Sequence, residues 1–124
     1  MWEKEGNHKI PYWIYPTDAN YFALAGIYDT WLDPTTNKEI ISSAIITTTP
    51  NGMMKPIHDR MPVILEPKDW ELWLDRGIDE SEALKPLLKP FDEKAMKAYE
   101  VSTFVNSPVN NTAQCIEPRS NALF

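Results

Sequence analysis

The sequence predicts an α+β fold, an antiparallel and partly closed β-sheet with short peripheral helices. Three observations predict it. Apolar and β-branched residues cluster in short runs separated by Pro, Asn and Asp turns. Helical spacing is confined to two brief segments. The turns between the runs are short, which favours antiparallel neighbours.

Each element follows from its residues. Residues 8–15 read as extended, with Pro11 as an interruption. Pro16-Thr17-Asp18-Ala19-Asn20 is a turn. Residues 21–31 read as a long buried strand. Asp33-Pro34-Thr35-Thr36-Asn37 has hairpin turn chemistry. Residues 39–48, rich in Ile and Thr, form the returning strand. Residues 50–56 are a loop with room for one helical turn, and residues 60–65 are the next strand. Residues 67–74 are an amphipathic helix, with Trp70, Trp73 and Leu74 at i, i+3 and i+4. Residues 81–88 are a second helix with Ser81 as N-cap, ended by Pro90. Residues 98–105 read as the last strand, followed by loop.

Composition bounds the function. A chain of 124 residues allows one domain, and 43% hydrophobic content supplies a core. A single cysteine, Cys115, excludes an intramolecular disulfide framework and fits a reducing, cytoplasmic compartment. The first nine residues have no apolar run suited to a signal peptide, and no membrane span is expected. Net charge is −6, from 18 acidic and 12 basic residues, which opposes broad affinity for phosphate backbones. The charge is uneven. Residues 69–82 hold six acidic groups against Arg76 and read as a solvated helix face, whereas residues 47–60 hold Lys55 and Arg60 against Asp59. A local nucleic-acid site on an acidic protein is therefore allowed.

The segment from Ile45 to Leu65 carries the chemistry. It reads as strand, exposed loop and strand, with His58 and Arg60 where the second strand begins. Strand alternation would point both side chains the same way. That pairs a proton-transfer group active near neutral pH with a fork-shaped phosphate ligand. The bland alternative is that His58 caps a turn and Arg60 pairs with an acidic neighbour. Five tryptophans raise the prospect of base stacking, but Trp13, Trp31, Trp70 and Trp73 are expected in the core. Met53 and Met54 are open to either base contact or gap filling.

Several blocks of the chain resemble the SRAP family, the SOS-response-associated peptidases that act as abasic-site processing proteins. The first is Thr47-Thr48, a loop, then Pro56-Ile57-His58-Asp59-Arg60-Met61-Pro62-Val63. Others are Trp2 with Glu5-Gly6, Lys9 and Pro11-Tyr12, then Phe22-Ala23 with Ala25-Gly26 and Trp31, and Asp69-Trp70 through Trp73-Leu74. The C-terminal end matches in Val101-Ser102, Val105-Asn106-Ser107-Pro108 and Ile116-Glu117-Pro118. The resemblance implies a barrel-like SRAP fold and covers residues 1–124 as the C-terminal half to two-thirds of a full domain, the N-terminal part being missing.

The resemblance further implies a protein that senses abasic sites in single-stranded DNA and links to them covalently, with autoproteolytic and lyase activities and no metal or other cofactor. Family members begin Met-Cys-Gly-Arg, carry an Asn in the first half, and have a Glu just before the Trp that matches Trp2. Here Met1 stands in that Glu position. Glu3 is the nearest acid, and strand alternation puts it on the face opposite Trp2. In the family reaction the amine of an N-terminal cysteine forms a Schiff base with the abasic aldehyde, and its thiol closes a thiazolidine. Cys115 offers no such amine and reads as an incidental thiol. Carried over residue by residue, His58 is the catalytic group. Trp2, Thr47 and Arg60 are the DNA-binding groups, and only the resemblance selects Thr47 over Thr48 and Thr49. The expectation for this chain alone is no crosslinking. It is then either a non-catalytic single-strand-binding remnant or one half of a split protein with a separately encoded N-terminal piece.

Overall fold

A computed structural model describes residues 2–5, 8–78 and 80–119, with the side chains of 2–5 and 8 excepted. The strands among these residues are β1 (Trp2–Glu5), β2 (His8–Pro16), β3 (Ala23–Leu24), β4 (Gly26–Leu32), β5 (Glu39–Ile45), β6 (Thr47–Thr48), β7 (Met61–Pro62), β8 (Ile64–Leu65) and β9 (Met96–Glu100). The α-helices are α1 (Trp70–Leu74) and α2 (Ser81–Leu84). The architecture is α+β, built from small antiparallel sheets, with no closed barrel among the described residues. The chain divides into two compact units, one of Met1–Tyr21, Pro50–Asp59 and Asp92–Phe124, the other of Phe22–Thr49 and Arg60–Phe91.

The first unit holds a three-stranded sheet in the order β1-β2-β9. Pro11 does not interrupt β2: it pairs with Trp2 on one side, and its carbonyl accepts the Val101 N–H at 3.0 Å on the other. Trp13 stands opposite Tyr99, and Tyr15 and Tyr99 meet diagonally with ring centroids 5.7 Å apart. β9 spans Met96–Glu100 rather than 98–105. The Ser102 hydroxyl accepts the Phe104 N–H at 3.1 Å and starts a 3₁₀ turn over Thr103–Asn106, which overrides the strand preference of Val and Thr there.

The second unit is organised around Val63. The Ala25 N–H donates to the Val63 carbonyl at 2.8 Å, Val63 N–H to Ile46 at 2.8 Å, and Ile46 N–H to Ala25 at 2.9 Å. Val63 is thus wedged where the base of the β4–β5 hairpin opens, flanked by the β3–β8 and β6–β7 pairs. Ala25, Val63 and Leu65 are buried, and Ile46, Trp70, Trp73, Leu87 and Leu88 close over them. Each helical tryptophan also satisfies its indole N–H, Trp70 on the Leu65 carbonyl at 3.0 Å and Trp73 on the Gly26 carbonyl at 3.1 Å. Ser81 does not cap α2; Glu80 occupies the N-cap with extended backbone, and no side chain caps the helix.

Residues 39–45 and 26–32 pair along their full length, from Gly26↔Ile45 to Leu32↔Glu39. The connecting turn is fixed by Asp33, whose carboxylate accepts from the Thr35 N–H at 2.9 Å and the Thr36 hydroxyl at 3.0 Å. These bonds, led by that to Thr35, hold the Asp33 carboxyl below its ordinary range. Asn37 takes a left-handed φ of 56°, which Asn tolerates. The expected burial of 21–31 holds at Ala25 but not along β4. Every residue of β4 and β5 is exposed, Trp31 included, and Trp13 in β2 is also exposed. Alternation predicts which residues share a face, but burial requires a second layer, and no described residue supplies one there.

Candidate functional site

The loop before His58 is a chain of hydrogen-bonded turns. The Asn51 side chain starts it, its Oδ1 accepting the Met54 N–H at 2.9 Å while its Nδ2 lies 3.2 Å from the Met96 sulfur. The Asn51 carbonyl accepts the Lys55 N–H at 2.9 Å, and the Met54 carbonyl accepts those of Ile57 and His58 at 2.8 and 2.9 Å. Met54 and Ile57 are buried, so the backbone that presents His58 is anchored twice. Met54 is a gap filler; Met53 is half-buried.

The His58 Nδ1 lies 3.0 Å from the Asp59 carboxylate, and His58 is half-exposed. In the neutral ring with Nδ1 protonated, that contact orients the imidazole. Residues 58–60 are not strand but contain a bend at Asp59, so the alternation expected for His58 and Arg60 does not apply to them. The chain passes from the first unit to the second between Asp59 and Arg60.

Arg60 lies ahead of β7, and the β6–β7 pairing sets Thr47 opposite Pro62. Its Nη2 donates to the Thr47 carbonyl at 2.8 Å and to the Thr47 hydroxyl at 3.1 Å, and its Nε donates to the same hydroxyl at 3.3 Å. The Nε–Nη2 edge of the guanidinium engages one residue, which fixes its plane at an exposed position. The structure therefore brings Arg60 and Thr47 together and gives Thr47 a distinction that Thr48 and Thr49 lack. Backbone pairing puts Trp2 opposite Pro11 and Glu3 opposite Ile10, and the side chains of Trp2 and Glu3 lie outside the described residues. Asn51 and Asp59 were not singled out by the sequence. Nothing in the sequence showed that the Asn51 amide would reach Met96.

A family model described as SOS response associated peptidase (SRAP) matches residues 1–108, including this entire segment. The chain belongs to the SRAP family. It is similar to the abasic site processing protein YoqW of Bacillus subtilis, at 45% identity over 109 residues, covering 88% of this chain and 48% of YoqW. It is similar to the abasic site processing protein HMCES of Xenopus tropicalis, at 33% identity over 134 residues, covering 93% of this chain and 39% of that protein. A crystal structure of a protein from Bacteroides thetaiotaomicron superimposes with a TM-score of 0.83 at 38% identity, covering 96% of this chain and 52% of that one. This SRAP chain spans about half the length of YoqW and of the Bacteroides protein. No helix among its described residues is long and apolar enough to cross a membrane.

Proposed function

We propose that this protein processes abasic sites in single-stranded DNA in the cytoplasm, as one half of a complete SRAP domain acting in the DNA damage response. The observation that carries the reading is the Arg60–Thr47 unit two residues from His58, inside a sequence block shared with relatives named abasic site processing proteins. Arg60 holds a phosphate of the DNA strand. Because Thr47 already fixes its plane, less side-chain freedom is lost on binding. The Thr47 hydroxyl adds to this contact, and Trp2 is a further DNA-binding residue by the family resemblance. His58, oriented by Asp59, moves protons at the deoxyribose. The complementary half supplies the N-terminal cysteine, whose amine and thiol close the covalent link, and an acid that assists ring opening. Lyase and autoproteolytic chemistry belong to the same proposal.

A second reading, a single-strand-binding module without covalent chemistry, is favoured by Cys115. This thiol is internal, half-buried, and 3.4 Å from the Asn110 carbonyl. The test is a denaturing gel after incubation with single-stranded DNA carrying one abasic site. The 124-residue chain alone gives no covalent band. Adding, as a separate polypeptide, the part of YoqW that lies outside the match restores one. A band from the chain alone that survives Cys115→Ala would overturn the proposal. Abasic-site binding with no band in either case would select the second reading.

A further inference from the structure

We propose that Asn51 is a positioning residue for His58, setting where the imidazole stands by locking its loop to the start of β9. The inference rests on the proton-transfer role proposed for His58, and adds the group that holds it in place. All the residues involved lie in the first unit.

The loop needs such a lock. Residues 50–60 belong to no strand, and their backbone is a run of turns. Strand pairing therefore does not fix where His58 leaves the fold. Two hydrogen bonds run instead from the Asn51 side chain to the His58 backbone. Asn51 Oδ1 accepts the Met54 N–H at 2.9 Å, and the Met54 carbonyl accepts the His58 N–H at 2.9 Å. The other end of the same amide reaches the sheet, its Nδ2 donating to the Met96 sulfur at 3.2 Å. Met96 is buried and pairs with Pro16 in the three-stranded sheet. The turn before it is fixed by the Asp92 carboxylate, which accepts the Lys94 N–H at 3.0 Å. One side chain thus ties the backbone of His58 to a held strand.

The residue type agrees with this role. Starting a turn is served equally by Asp, Ser or Thr, whose oxygens accept the same amide. A carboxamide adds a donor on the same side chain. A thioether is a weak acceptor, so the bond to Met96 draws its value from the buried site rather than from its own strength. A second contact supports the docking. The Glu93 carboxylate lies over Gly52, so close that a Cβ there would collide with its Oε2. Consecutive loop residues, Asn51 and Gly52, therefore meet Met96 and Glu93 on one short segment.

Amide hydrogen exchange of the full chain, read residue by residue by NMR, tests the lock. Asn51→Ala should raise exchange at Met54 and His58 by about tenfold or more. Thr17 and Val101, whose N–H groups donate to the Ala95 and Pro11 carbonyls in the same unit, should change by less than about threefold. Asn51→Asp keeps the turn bond and loses the donor, whereas Met96→Leu keeps the volume and loses the acceptor. Each should raise exchange at His58 by about threefold or more, and the double substitution should do no more than the larger single one. These two conservative variants carry the test if Asn51→Ala does not fold. Denaturing gels with the unmatched part of YoqW present then read the rate of link formation on abasic single-stranded DNA. Asn51→Ala should slow it by about tenfold or more, while affinity for a non-reactive abasic analogue stays within about threefold. Exchange at His58 that Asn51→Ala leaves unchanged, or that Thr17 and Val101 match, overturns the inference. So does an Asn51→Asp variant indistinguishable from the unsubstituted chain, which would make Asn51 a turn start only. A rate that Asn51→Ala leaves unchanged while His58→Ala slows it overturns the inference as well. A rate that neither alters, or no link at all, overturns the proton-transfer reading on which it rests.

Discussion

Replacing Arg60 with alanine separates recognition from folding, and the structure sets the size of both effects. The side chain donates three hydrogen bonds to Thr47 at an exposed position. Exposed charged hydrogen bonds of this kind contribute about 0.5–1 kcal/mol in total, because water replaces them readily. For a chain of this size that corresponds to a melting-temperature drop of roughly 2–5 °C. The DNA effect is different in kind. One phosphate contact on a single strand contributes about 0.7 to the slope of log affinity against log salt. Across a fourfold change in salt, from about 50 to 200 mM, the loss from Arg60→Ala should therefore shrink by a factor of about 2.6. Arg60→Lys keeps the charge and should keep the slope, while losing the fork geometry over Thr47. The assay is fluorescence anisotropy with a labelled single strand carrying a non-reactive abasic analogue, on the chain joined by its complementary half. Thermal melts of the same samples accompany it. An unchanged salt slope together with a melting drop above about 8 °C would refute the phosphate assignment and make Arg60 a structural residue.

Val63→Ala deletes two methyl groups at a fully buried site while leaving the backbone ring with Ala25 and Ile46 intact. It should cost about 2–3 kcal/mol by denaturant unfolding, and a loss below about 0.5 kcal/mol would show that Val63 does not organise the second unit. Asp33 has a lowered folded pKa, so its contribution to the turn is complete above the ordinary value of 3.8 and fades as pH falls through the lower folded value. The Thr35 amide shift should titrate with a midpoint below 3.8, and a midpoint at or above it would contradict the hydrogen bond.

The sequence exposed the order of elements because local chemistry sets it. The turn at 33–37 follows from Asp33 and Asn37, and the Trp70, Trp73, Leu74 spacing follows from the helix period. Trp70 and Trp73 were correctly expected to pack inward. What the sequence did not expose depends on partners distant in the chain. Residues 21–31 read as one long buried strand and 39–48 as one continuous strand, yet each breaks where Val63 inserts, at Ala25 and at Ile46. Trp31 carries the apolar signal of a core residue and lies on an uncovered ribbon. At the candidate site the residue types were legible in Thr47, His58 and Arg60. The direct Arg60–Thr47 contact was not, because it depends on the β6–β7 pairing that sets Thr47 against Pro62. The Asn51 bonds that hold the His58 loop were hidden for the same reason, since Met96 is 45 residues away.

The most direct test of the central claim is the rate of covalent band formation on abasic single-stranded DNA by the chain joined to the unmatched part of YoqW, compared with its His58→Ala variant. Proton transfer by a positioned side chain is worth about 10²–10⁴-fold, so His58→Ala should slow formation or reversal of the link by at least about 100-fold. Affinity for the non-reactive analogue should stay within about threefold, because His58 makes no phosphate contact in this account. Unchanged rates of formation and reversal with His58→Ala, or a rate loss matched by an equal loss of affinity and stability, would contradict it.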